Sequence, residues 1–185
     1  MLNVYIDFKS PAAYLALKPT LRLASKYGTD VNWLAVQTKQ APIPEAAPVE
    51  DRGTTHRRIR AIARQKMHLH YARLQSTTMN FPPMPGNTDF ALAMLHALEG
   101  DRTEFVQAAF ASYWVDNQDL NNAEIVSSLA GSRQPTPDVQ NSLEAISAQV
   151  EGAGVIDAPA FIIAGELFIG REHLPWIETL ITSHG

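Results

Sequence analysis

"LNVYIDFKSPAAYLALKP", residues 2–19, sets the beginning of the fold. The apolar–polar alternation from Leu2 to Phe8 predicts a strand. Ser10 then supplies a helix N-cap, and Pro11 suits the first helical position, where a missing N–H costs nothing. Apolar residues at helical spacing continue through "AAYLALKPTLRLASKYG", 12–28, with Gly28 as the stop. Pro19 inside that run is expected to kink the helix or divide it. "VNWLAV", 31–36, predicts a second strand, so the chain opens β-α-β, and a right-handed crossover makes these strands parallel.

Residues 37–50, "QTKQAPIPEAAPVE", hold three prolines and predict a surface loop. From about 53 to 152 no strand-like run occurs. "TTHRRIRAIARQKMHLHYARLQ" (54–75) predicts a long helix, and "NFPPMPGN" (80–87) a rigid loop. "TDFALAMLHALEG", "RTEFVQAAFASYWVD", "NNAEIVSSLAG" and "TPDVQNSLEAISAQVEGAG" each combine a capping residue with helical periodicity. "PAFIIAGELFIG", 159–170, is two β-rich runs around Ala164–Gly165, a hairpin signal, and "REHLPWIETLITSH" predicts a short closing helix. The order is β-α-β, a block of helices, then β-β-α, with the hairpin extending the first sheet. Other α/β sheets share that order.

The 185 residues suffice for one domain, or for a core with one sizeable insertion. Hydrophobic residues at 45% and charged residues at 18% read as globular and soluble. The net charge of −4 recommends neither a nucleic acid nor a membrane as partner. With no cysteine, the chain has no thiolate nucleophile, disulfide or cysteine-ligated metal of its own. "MLNVYIDF" opens directly on a strand, without the pattern of a secretory leader, so a cytoplasmic location is expected.

Two motifs carry a specific resemblance. "DFKSPAAYLA" resembles the "DF-x-SP-x-x-YLA" start of the kappa-class glutathione transferases and the 2-hydroxychromene-2-carboxylate isomerases. "GVIDAPAFIIAGELFIGREHL" is similar to the same family's C-terminal stretch, G-V-x-x-x-P-T-F, an acidic turn, then G-x-D-R-L. "HYARLQSTTMNFP" and "YWVDNQDLNN" look like its "RWA…FP" segment and its aromatic-rich helix end. The resemblance implies a DsbA-like, thioredoxin-like α/β core formed by 1–50 and 153–185, with a helical insertion domain over 51–152. It implies glutathione as a bound cofactor and a homodimer, for which the aromatic run "FASYW" (110–114) offers a surface.

In redox relatives of this fold the nucleophilic cysteine opens the first helix, and Ser10 stands in that place. The resemblance therefore assigns Ser10, with Pro11, to the glutathione thiol. A thiolate beside a helix N-terminus gains from the dipole, and a hydroxyl can donate to it. Ser-Pro ahead of a helix is equally ordinary capping chemistry. The resemblance further implies a cis Ala158–Pro159 bond, whose Ala158 backbone pairs with the cysteinyl residue of glutathione. It places Glu172 at the γ-glutamyl ammonium, flanked by Arg171 and His173. Glu172 replaces the family's aspartate and His173 its arginine, while Met67 stands where an acid is common.

Arg52, Arg57, Arg58, Arg60, Arg64, Lys66 and Arg73 share a predicted helix with no acid among them. That pattern is either a solvated face or a field that draws an anionic substrate or the glycine carboxylate of glutathione. No metal site is expected, because His68 and His70 point to different helix faces and no H-E-x-x-H occurs. "FPPMPGN" reads either as a plain stiff loop or as a lip over a cleft, with Phe81, Met84 and Asn87 available to a small aromatic substrate. The implied reaction is glutathione-dependent isomerisation of an aromatic-degradation intermediate such as 2-hydroxychromene-2-carboxylate. A kappa-type transferase would use the same residues. The third possibility is a thioredoxin-like binding protein that has lost glutathione.

Overall fold

A computed structural model describes residues 1–49, 51–131 and 136–184. Strand β1 (Leu2–Ile6) leads into helix α1 (Pro11–Tyr27) and strand β2 (Val31–Ala35). The loop after β2 carries no regular element among its described residues, and its last residue, Glu50, lies outside them. Five helices follow: α2 (Arg52–Leu74), α3 (Asp89–Ala97), α4 (Thr103–Trp114), α5 (Ala123–Ala130) and α6 (Val139–Ala153). The chain closes with β3 (Ala160–Ile163), β4 (Glu166–Ile169), a 3-10 turn (Arg171–His173) and α7 (Leu174–His184). The sheet order is β2-β1-β3-β4. β1 and β2 run parallel, and the other neighbours are antiparallel. This is the α/β thioredoxin-like outline expected from the sequence. The hairpin turns at Ala164 (φ 51°) and Gly165 (φ 83°), the double positive φ that suits tightly twisted strands.

Helix α1 differs from expectation: Pro19 does not divide it. Proline deprives the Leu15 carbonyl, one turn back, of its helical donor. The Gln75 side-chain amide, at the end of α2, fills the gap at 3.1 Å. Lys18 reinforces the junction by donating to the Ser76 carbonyl at 3.1 Å. Sixty residues of chain thus separate the orphaned Leu15 carbonyl from its remedy.

The core joins sheet and helices through aromatic rings. Phe8, in the turn after β1, meets Phe105 and Phe110 of α4 edge-on, and Tyr14 of α1 stacks on Trp114. The Trp114 indole N–H donates to the Phe8 carbonyl at 2.8 Å, which satisfies both polar groups in the interior. The run "FASYW" is consequently no surface for a second subunit. Phe110 and Trp114 are fully buried, and Tyr113 nearly so, because α4 spends these rings on α1 and β1.

Candidate functional site at the start of helix α1

The turn between β1 and α1 is built on a buried carboxylate. Asp7 is wholly inaccessible to solvent. Its oxygens accept from the Lys9 N–H (3.2 Å), the Thr38 N–H (2.7 Å) and hydroxyl (2.9 Å), and the Thr88 hydroxyl (2.9 Å). The Lys9 ammonium lies 3.5 Å away. One side chain thereby pins the turn before α1, the first residues after β2 and the start of α3. So many donors hold the carboxylate in place of water.

Ser10 follows as the N-cap, its oxygen accepting from the Ala13 N–H at 3.3 Å. The hydroxyl proton goes elsewhere: it is donated to the Ala158 carbonyl at 2.8 Å. Ser10 is almost completely buried. The Ala158–Pro159 peptide is cis. The Ala158 N–H donates to the Asp157 carboxylate at 2.8 Å, so both backbone groups of Ala158 are paired. The Pro159 carbonyl accepts from the Gly170 N–H at 2.8 Å, which carries the 3-10 turn to the same place. Gly170 has φ +106°, and the Glu172 carboxylate folds over it so closely that a Cβ there would collide.

Beside Pro11 opens a cleft of about 570 Å³. Its walls differ in chemistry. Lys9, Lys39, Arg57 and Arg64 bring positive charge, and Phe81 brings aromatic surface, with the buried Tyr113 and Trp114 behind it. Among the described residues no carboxylate lines it. The Tyr113 hydroxyl accepts from the Gly86 N–H at 2.9 Å and so ties the proline-rich lip to α4. Burial is the main cause that raises the Tyr113 pKa, so the hydroxyl keeps its proton. His68 also faces the cleft, its ring stacked against Phe81 with centroids 6.4 Å apart. Burial first, then the guanidiniums of Arg171 and Arg64, hold the His68 pKa below its ordinary value near 6.5. The imidazole is therefore neutral at neutral pH.

The model of the DSBA-like thioredoxin domain family matches residues 1–182. The chain belongs to that family. Among solved structures, this DSBA-like domain is similar to a 2-hydroxychromene-2-carboxylate isomerase at 16% identity and a TM-score of 0.69. That match covers 99% of this chain and 95% of the other. It is also similar to the cytosolic disulfide reductase DsbM from Pseudomonas aeruginosa, solved with GSH. There the identity is 14% and the TM-score 0.59, over 99% of this chain and 96% of that one. Both likenesses concern the fold. Among curated proteins none matches the sequence. With no cysteine anywhere, this member of the family has no thiol to perform disulfide exchange itself.

Within the DSBA-like frame, Ser10, Pro11, Ala158, Pro159 and the Arg171–His173 turn come together, although their chain positions span most of the sequence. Arg171 lies over the Tyr71 ring at 3.7 Å, bridging to α2. His173 contacts Phe168, and Glu172 is exposed. Of the three proposed lip residues only Phe81 lines the cleft. Met84 points to solvent, and the Asn87 side chain accepts from the Asp89 N–H at 2.8 Å, shaping the start of α3. Sequence reasoning passed over Asp7, Lys39 and Tyr113 altogether. An Asp next to a Ser-Pro cap was the available signal for the first; the others had none.

Proposed function

We propose that the protein is a glutathione-dependent isomerase of an aromatic-degradation intermediate such as 2-hydroxychromene-2-carboxylate. The observation that carries this reading is the cleft. It abuts the α1 N-terminus, offers aromatic surface to a planar ring, and holds four cations against a substrate carboxylate. The exposed Glu172 suits the ammonium end of glutathione, and the cationic wall suits its glycine carboxylate. When bound, glutathione supplies a thiolate that adds to a conjugated carbon and leaves again.

This chain's own residues orient the arene on Phe81, hold its carboxylate, and stabilise the thiolate at the start of α1. Ser10 can contribute only if its hydroxyl turns from the Ala158 carbonyl toward the cleft. The same satisfied pair favours a second reading, a DSBA-like binding protein for aromatic carboxylates without glutathione. Two measurements separate them. Calorimetry with glutathione should give saturable binding, and conversion of the chromene carboxylate should require added glutathione. Absence of binding at millimolar glutathione sinks the isomerase and leaves the binding protein.

A further inference from the structure

Most groups in the cleft can recognise a carboxylate or a ring face, and His68 adds to them an acceptor nitrogen whose availability depends on pH. Its imidazole lines the cleft from α2, lies against Phe81, and makes no hydrogen bond to another described residue. Arg64 on its own helix and Arg171 from the 3-10 turn bear on it electrostatically, and Arg57, Lys9 before α1 and Lys39 after β2 add positive charge to the same cleft. Tyr113 on α4 is the remaining titratable group lining the cleft, and it stays protonated. A histidine among cations, with no carboxylate lining the cleft, is an acceptor rather than a cation.

We propose that His68 is the specificity-determining acceptor of the cleft, selecting aryl carboxylates that also carry a hydroxyl able to donate to its ring nitrogen. This deepens the reading of the cleft as an aromatic-carboxylate site, and it needs neither glutathione nor Ser10. The division of labour follows from chemistry. Cations hold the carboxylate, Phe81 takes the ring, and the neutral imidazole distinguishes a hydroxylated ring from a bare one. Gln40 and Gln65 also line the cleft and carry acceptor oxygens, but amides do not titrate. A preference that disappears on acidification belongs to His68.

The test is calorimetry with two probes, trans-2-hydroxycinnamate and trans-cinnamate, without glutathione, on the intact protein and on His68→Phe. The expected result is binding of both probes, with the hydroxylated one about fivefold tighter, the scale of one neutral hydrogen bond. That preference should vanish in His68→Phe while cinnamate binding persists. It should also vanish as the pH falls through the lowered His68 pKa, followed by the imidazole proton resonances. Equal affinity for the two probes in the unmodified protein overturns the proposal. So does a preference retained in His68→Phe or one indifferent to pH. Failure of both probes to bind overturns it together with the aromatic-carboxylate reading of the cleft. Loss of glutathione binding alone touches only the isomerase.

Discussion

Two sides of one cleft are made in opposite ways. The turn between β1 and α1 is buried and dense with directed hydrogen bonds: Asp7 has no solvent exposure and Ser10 almost none. Across the opening, α2 carries a polar surface nearly all round, and Ala72 is its one buried residue. A helix of that composition gains little from apolar burial and must be held by its ends. Positional precision therefore resides on the α1 side, and electrostatic attraction on the α2 side. Substitutions should separate them: stability should respond to the first and ligand affinity to the second.

The largest effect is expected at Asp7. Asp7→Ala removes the common acceptor of Lys9, Thr38 and Thr88 and strands four donors, three of them buried, beside a cation. Breaking such a buried, charge-assisted set costs about 3–5 kcal/mol. Urea unfolding should show it as a lowered midpoint. A loss under about 1 kcal/mol would mean that the α1 side is not the stiff one.

Ser10→Ala comes next. It deletes a helix cap, about 1 kcal/mol, and leaves the Ala158 carbonyl without its donor, roughly another 1–2 kcal/mol. Chemical denaturation should return the sum. If stability holds while glutathione binding falls, the hydroxyl faces ligand rather than Ala158.

Gln75→Ala probes where the polar helix takes hold. Its amide supplies the Leu15 carbonyl that Pro19 leaves without a partner, so the loss should be about 1 kcal/mol. Pro19→Ala restores a backbone donor to that carbonyl. In the background of Pro19→Ala, removal of Gln75 should therefore cost much less. A double-mutant cycle with no coupling between the two would reject the repair.

What the sequence disclosed, and what it did not, divides along the same line. Local rules located the Ser10 cap, the hairpin at Ala164–Gly165 and the crossover from β1 to β2, because each depends on neighbouring residues. Pro19 deceived, since its remedy lies in Gln75, at a separation no periodicity reveals. The partners of Asp7 were hidden for the same reason: Thr38 and Thr88 lie 31 and 81 residues away. The aromatic run "FASYW" has the composition of an interface, and only tertiary packing turns it inward. Met84 and Asn87 shared a loop with Phe81, but a stiff, proline-rich loop sends successive side chains in different directions. Of His68 and His70, the two weighed as ligands, spacing alone could not single out His68, whose character comes from burial and from the charges of Arg171 and Arg64.

The smallest stability effect, and the sharpest test of the α2 side, is expected at Arg64. Arg64→Gln removes a charge from an exposed helix position that lines the cleft. Such a change should move stability by less than about 0.5 kcal/mol. Its influence on chemistry is larger. One of the charges that disfavour a proton on His68 disappears, so the His68 pKa should rise toward its ordinary value near 6.5. The rise should be partial, because burial remains as the leading cause. The sign for stability follows. A folded-state pKa below the unfolded value makes the unfolded chain take up protons first, so His68 destabilises the fold as pH drops below about 6.5. Arg64→Gln should soften that acid sensitivity while weakening aryl-carboxylate binding, more so at low salt than at high. Proton resonances of the imidazole against pH, with melting curves at matched pH, measure both. A His68 titration unchanged by Arg64→Gln would break the electrostatic link on which the α2 side of the cleft depends.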